Sequence, residues 1–120
     1  MTIYFKTNKL QKQCSESKSM IKEFGPLLSV KLKRRLMELQ AAETLKDVSY
    51  LPPPRCHELV NRGGVFSVDL EYPMRLLFKP AHDPFPTLSD GGIDQNLVTD
   101  IVILAIEDTH DRKTQRRSMQ

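Results

Sequence analysis

The chain has only two cysteines and five glycines among 120 residues, and each scarcity removes a class of protein. Cys14 and Cys56 are too few for a disulfide scaffold and form no C-x-x-C pair, so they read as ordinary reduced thiols, not as a zinc site or redox centre. The glycines form neither a G-x-G-x-x-G fingerprint nor a Walker loop, and H-E-x-x-H and G-x-S-x-G are missing as well. Dinucleotide binding, ATP hydrolysis, zinc proteolysis and serine hydrolysis therefore lose their usual support. No apolar run approaches the roughly 20 residues that a bilayer requires. The opening MTIYFKTNKLQKQ has no basic start leading into an apolar stretch, so no secretory signal is expected and the cytoplasm is the expected compartment.

What is present describes a small folded protein. At 39% hydrophobic and 28% charged, the composition is that of a globular chain, and its length is that of one domain, residues 1–120. The net charge of +3 hides a segregation. Residues 1–46 hold ten Lys/Arg against four acids, residues 47–111 hold four against eleven, and residues 112–120 hold four Lys/Arg and no acid. Such a division suits a protein that touches nucleic acid with one part of its surface.

Hydropathy patterning predicts the elements. Residues 2–6 (TIYFK) read as a short edge strand. Ser15 reads as an N-cap for a helix over about 16–24 that carries Met20, Ile21 and Phe24 and stops at Gly25. Pro26 opens a second helix with Leu28, Leu32, Leu36 and Leu39 as its apolar stripe, fading near Thr44 before three consecutive prolines. The two helices form an antiparallel hairpin. Residues 65–70 alternate, with Phe66, Val68 and Leu70 against Ser67 and Asp69; residues 74–79 alternate too, with Met74, Leu76 and Phe78 against Arg75 and Lys79. LVTDIVILAI is apolar on both faces, as for a central strand, and residues 111–120 read as a flexible basic tail. Helices first and strands afterwards predict an α+β fold, the helical hairpin lying on one face of a small antiparallel sheet.

The polar residues at the strand ends carry the chemistry. Arg75 lies within a strand, Arg55 and His57 lie just before the hairpin, and Asp108 and His110 stand where the last strand runs out. Taken singly, Arg75 pairs as readily with a carboxylate such as Asp69, and the histidines read as exposed side chains. Brought onto one surface, arginines with histidines beside them are what reaction at a phosphodiester needs. On the helix, Lys31, Lys33, Arg34 and Arg35 fall mostly off the apolar stripe and form a candidate basic face.

LPPPRCHEL (51–59), GGVFSVDLEYPMRLLF (63–78) and the closing ILAIEDTHD (103–111) resemble the RelE/ParE superfamily of toxin–antitoxin systems, and HigB-like toxins most of all. The resemblance implies a helical hairpin on a twisted antiparallel sheet and a ribosome-dependent endoribonuclease that cuts mRNA without metal or other cofactor. It implies two partners besides: the ribosome with its mRNA, and a HigA-like helix-turn-helix antitoxin. It assigns Arg75 to the scissile phosphate, with Arg55 beside it. His57 and His110 become proton carriers, with Asp108 orienting His110 or holding a nearby arginine. The basic helix residues Lys31, Lys33, Arg34 and Arg35 are expected to contact ribosomal RNA phosphates or, when the protein is neutralised, an acidic face of the antitoxin. In the terminal pattern Thr109 stands where that family commonly has Tyr, and threonine cannot stack on a base. A weakly catalytic protein that chiefly binds its antitoxin, and a non-catalytic RNA- or ribosome-binding module, are the alternatives.

Overall fold

A computed structural model describes residues 1–109; His110 and the expected tail at 111–120 lie outside the described residues. Strand β1 (Thr2–Phe5) leads into helix α1 (Asn8–Ser15) and the long helix α2 (Ser17–Ala41). Strands β2 (His57–Glu58), β3 (Phe66–Asp69), β4 (Arg75–Pro80) and β5 (Asp100–Glu107) follow. They form one five-stranded sheet in the order β1-β5-β4-β3-β2. The architecture is α+β, with an N-terminal helical part packed on the sheet. Pairing is antiparallel from β2 through β5, whereas β1 runs parallel to β5. The sheet is thus mixed at one edge. Parallel neighbours need a long crossover, and the chain between Phe5 and Asp100 supplies it.

Helix α1 was not expected. Thr7 caps it, its Oγ1 accepting from the Leu10 N–H at 3.1 Å, and Leu10 and Cys14 at i, i+4 give it a buried side. Ser15 ends this helix and does not cap the next; Glu16 closes α1 and opens α2. Helix α2 breaks at Gly25, where φ 79° and ψ 165° fall in a region essentially open only to glycine. The arms on either side, 17–24 and 26–41, keep the expected division. Ser29 Oγ donates to the Gly25 carbonyl at 2.6 Å, a side-chain bond back to the residue at the break.

Leu10, Cys14, Met20, Leu28, Leu32 and Leu39 from the helices pack against Phe66, Val68, Leu76, Phe78, Ile101 and Ile103 from the sheet. Phe66 and Phe78 oppose each other across β3 and β4 and stack with centroids 6.0 Å apart. Because strand side chains alternate, Ser67, Asp69, Arg75 and Leu77 fall on the face away from the helices. The most buried strand is β4, not β5. Four-residue β1 flanks only Asp100–Ile103, so among the described residues the second half of β5 pairs with β4 alone. Among the described residues no helix is long and apolar enough to cross a membrane.

Candidate active site

Register alone assembles a row of polar side chains on the face away from the helices. His57 opposes Ser67, Asp69 opposes Arg75, and Arg75 opposes Glu107. Arg75 is only 8% exposed, so its charge has to be met by protein groups. Its Nη1 donates to Ser67 Oγ at 3.2 Å and to His57 Nε2 at 2.9 Å, and its Nε lies 3.5 Å from Asp69 Oδ1. Arg55 reaches the same carboxylate from the other side, Nε to Oδ2 at 2.7 Å and Nη2 to Oδ1 at 3.1 Å. One carboxylate is thus shared by two guanidiniums.

This network assigns the histidine tautomer. A guanidinium only donates, so Nε2 of His57 is the acceptor and Nδ1 bears the hydrogen, donating to the Arg55 carbonyl at 3.0 Å. Arg55 has a positive φ of 49°, unusual for a residue with a side chain. Its neighbours hold it there: Arg55 N–H donates to the Leu51 carbonyl, Cys56 N–H to that of Ser49 and Asp69 N–H to that of Pro54. That conformation aims the Arg55 carbonyl at His57 and its guanidinium at Asp69. Such local strain is characteristic of functional sites.

Around this centre, Arg62 Nη1 meets Glu107 Oε1 at 2.9 Å. Arg55, Asp69, Leu70, Tyr72, Pro73, Met74 and Arg75 enclose a small cavity of about 50 Å³. Cys56, between Arg55 and His57 in sequence, is buried, and burial pushes its thiol up to about 12 and that of Cys14 up to about 11. Neither thiol is a nucleophile at neutral pH.

Of the expected residues, the structure brings Arg55, His57 and Arg75 together. His110 lies outside the described residues. Asp108 follows the last residue of β5, and the register sets Glu107, not Asp108, opposite Arg75. The basic helix divides. Lys33 and Arg34 are exposed, and Lys31 Nζ pairs with Glu71 at 2.9 Å beside the β3–β4 turn. Arg35, by contrast, is 3% exposed, donating from Nε to the Asp69 carbonyl at 2.9 Å and from Nη1 to Glu38 Oε1 at 2.7 Å. It leaves the basic surface because it stands in the buried row Leu28, Leu32, Arg35, Leu39, whose 4-3-4 spacing faces the core. That spacing was available in the sequence. Ser67 and Asp69 were visible there only as the polar side of a strand, and the Arg62–Glu107 pair had no sequence signal, because a turn and the last strand meet only through the sheet.

No family model, curated protein or solved structure matches this chain. The functional reading rests on the residues and their geometry.

Proposed function

We propose that the protein is the toxin of a type II toxin–antitoxin system: a metal-independent endoribonuclease that cleaves mRNA on the ribosome, in the cytoplasm, and so inhibits translation. The observation that carries this reading is the 2.9 Å contact of Arg75 Nη1 with His57 Nε2, which places a buried cation and an imidazole at one point of the sheet. In the reaction the ribose 2′-oxygen bonds to the adjacent phosphorus as the bond to the 5′-oxygen breaks, leaving a 2′,3′-cyclic phosphate. A base takes the 2′-hydroxyl proton, an acid gives one to the 5′-oxygen, and a guanidinium holds the charge on the non-bridging oxygens. Arg75 supplies the guanidinium. When it turns to the phosphate it releases Nε2 of His57, which then accepts the proton.

His110, with Asp108 to orient it, takes the opposite proton-transfer role. Arg55 keeps Asp69 and the His57 ring in place. Lys33 and Arg34, with Lys31 next to the β3–β4 turn, contact ribosomal RNA phosphates, and a HigA-like helix-turn-helix antitoxin neutralises the protein. The experiment is induction of the gene without its antitoxin, with mapping of mRNA ends on purified ribosomes. Growth arrest with new cleavage sites, both relieved by Arg75→Ala, supports the reading. Growth unaffected by the wild-type protein, with mRNA left intact, refutes it. A second reading, a weakly catalytic protein that chiefly binds its antitoxin, draws on the occupied His57 Nε2 and on Thr109, and growth arrest without cleavage would support it.

A further inference from the structure

Recognition of an RNA strand needs something for its bases as well as for its phosphates. Phe66 and Phe78 cannot supply it, being stacked on each other and fully buried in the core. The aromatic ring at the arginine cluster is Tyr72, in the turn between β3 and β4. It is 81% exposed, and it lines the same small cavity as Arg55, Asp69 and Arg75. The turn is held at both ends: Leu70 N–H donates to the Met74 carbonyl at 3.0 Å and Met74 N–H to that of Glu71 at 2.8 Å. Lys31 ties Glu71, the residue before Tyr72, to helix α2 at 2.9 Å. A largely exposed ring therefore stands on a braced turn that shares a cavity with Arg55 and Arg75.

We propose that Tyr72 is a base-stacking platform: it holds the nucleobase next to the phosphate that Arg75 binds, and so sets the strand in register with the site. The inference rests on the phosphodiester reading of this face. A ring beside a guanidinium suits this ligand, since a nucleotide presents a flat π-surface and an anion a few ångströms apart. The phenol ring adds affinity without selecting one base, because every base has a stacking face.

The test uses the full chain with two RNAs, one normal and one abasic at the nucleotide beside the scissile phosphate, both carrying a 2′-O-methyl group there to block cleavage. Binding is read by fluorescence anisotropy, and cleavage separately on ribosomes programmed with unmodified mRNA. Tyr72→Ala should weaken binding about 5- to 150-fold, the range for loss of one stacked base. Tyr72→Phe should stay within about 2-fold, since the ring is kept. The abasic RNA should bind the wild-type protein as weakly as the normal RNA binds Tyr72→Ala, and the two losses should not add. Wild-type affinity and cleavage in Tyr72→Ala, or an equal penalty for the abasic RNA in both proteins, overturns the stacking role while leaving the phosphodiester reading standing. A wild-type protein that neither binds nor cuts RNA overturns both.

Discussion

Arg75 Nη1 lies 2.9 Å from Nε2 of His57, so the lone pair that would take a proton is held by the cation that would hold a phosphate. If the two residues act as proposed, their roles are coupled: phosphate binding at Arg75 and release of the His57 base become one event. Arg75→Ala should lower cleavage of ribosome-bound mRNA about 100-fold or more, the usual cost of removing a donor to transition-state charge. Arg75→Lys should recover only part of it, because an ammonium cannot reproduce a fork that serves Ser67, His57 and Asp69 together. Combined with His57→Gln, the losses should be less than multiplicative, as expected of residues that act as a unit. Single-turnover rates for the two single variants and the double variant decide this.

Asp69 is the shared counter-ion of Arg55 and Arg75, so its effect on the proposed reaction should run through the arginines. Asp69→Asn keeps the side-chain shape but removes the charge that holds Arg55 and Arg75 in place. The rate should fall by about 10- to 100-fold, the scale of a misplaced reacting group, with a thermodynamic cost of about 1–3 kcal/mol. A drop in melting temperature without a change in cleavage rate would make Asp69 purely structural.

Much of this was legible before folding. Alternation over 65–70 and 74–79, broken only by Val65 and Leu77, put Arg75, Ser67 and Asp69 on the side opposite the phenylalanines, as the structure has it. The division at Gly25-Pro26 was legible because both residues act through local backbone chemistry. Helix α1 was missed since its eight residues hold only Leu10 and Cys14 as buried anchors, too little periodicity to stand out. The parallel β1–β5 pair, the partly buried second half of β5 and the Arg62–Glu107 pair depend on contacts between distant segments, which no local pattern encodes.

Arg35 and its neighbours on the helix should behave in opposite ways. Arg35→Ala removes the donors to the Asp69 carbonyl and to Glu38, and it should destabilise the fold by about 2–4 kcal/mol. Lys33→Ala and Arg34→Ala, at exposed positions, should change stability by less than about 0.5 kcal/mol. They should instead weaken ribosome association and flatten its salt dependence, since fewer counterions are released. Urea unfolding and sedimentation at two salt concentrations separate the two behaviours.

The buried thiols predict a pH dependence of stability that is independent of function. Cys14 and Cys56 ionise at about 11 and about 12 in the folded chain against 9.0 in the unfolded one, because burial disfavours the thiolate. Below about pH 8 both states keep nearly all of these protons, and the thiols contribute almost no slope. Above it the unfolded chain releases protons that the folded chain retains, so stability should decline with pH until the folded thiols ionise in turn. Tyrosines and lysines also titrate in this window, so the informative quantity is the difference between the wild type and a Cys14→Ala/Cys56→Ala variant. The double variant should be less stable at neutral pH, because two buried side chains are truncated. Its unfolding free energy should then fall less steeply than that of the wild type from about pH 9 to about pH 10.5. Parallel curves over that interval would mean that the thiols ionise alike in both states. Iodoacetamide offers an independent check: at pH 8 the folded protein should react far more slowly than the urea-unfolded chain, because the thiolate is the reacting form and burial suppresses it.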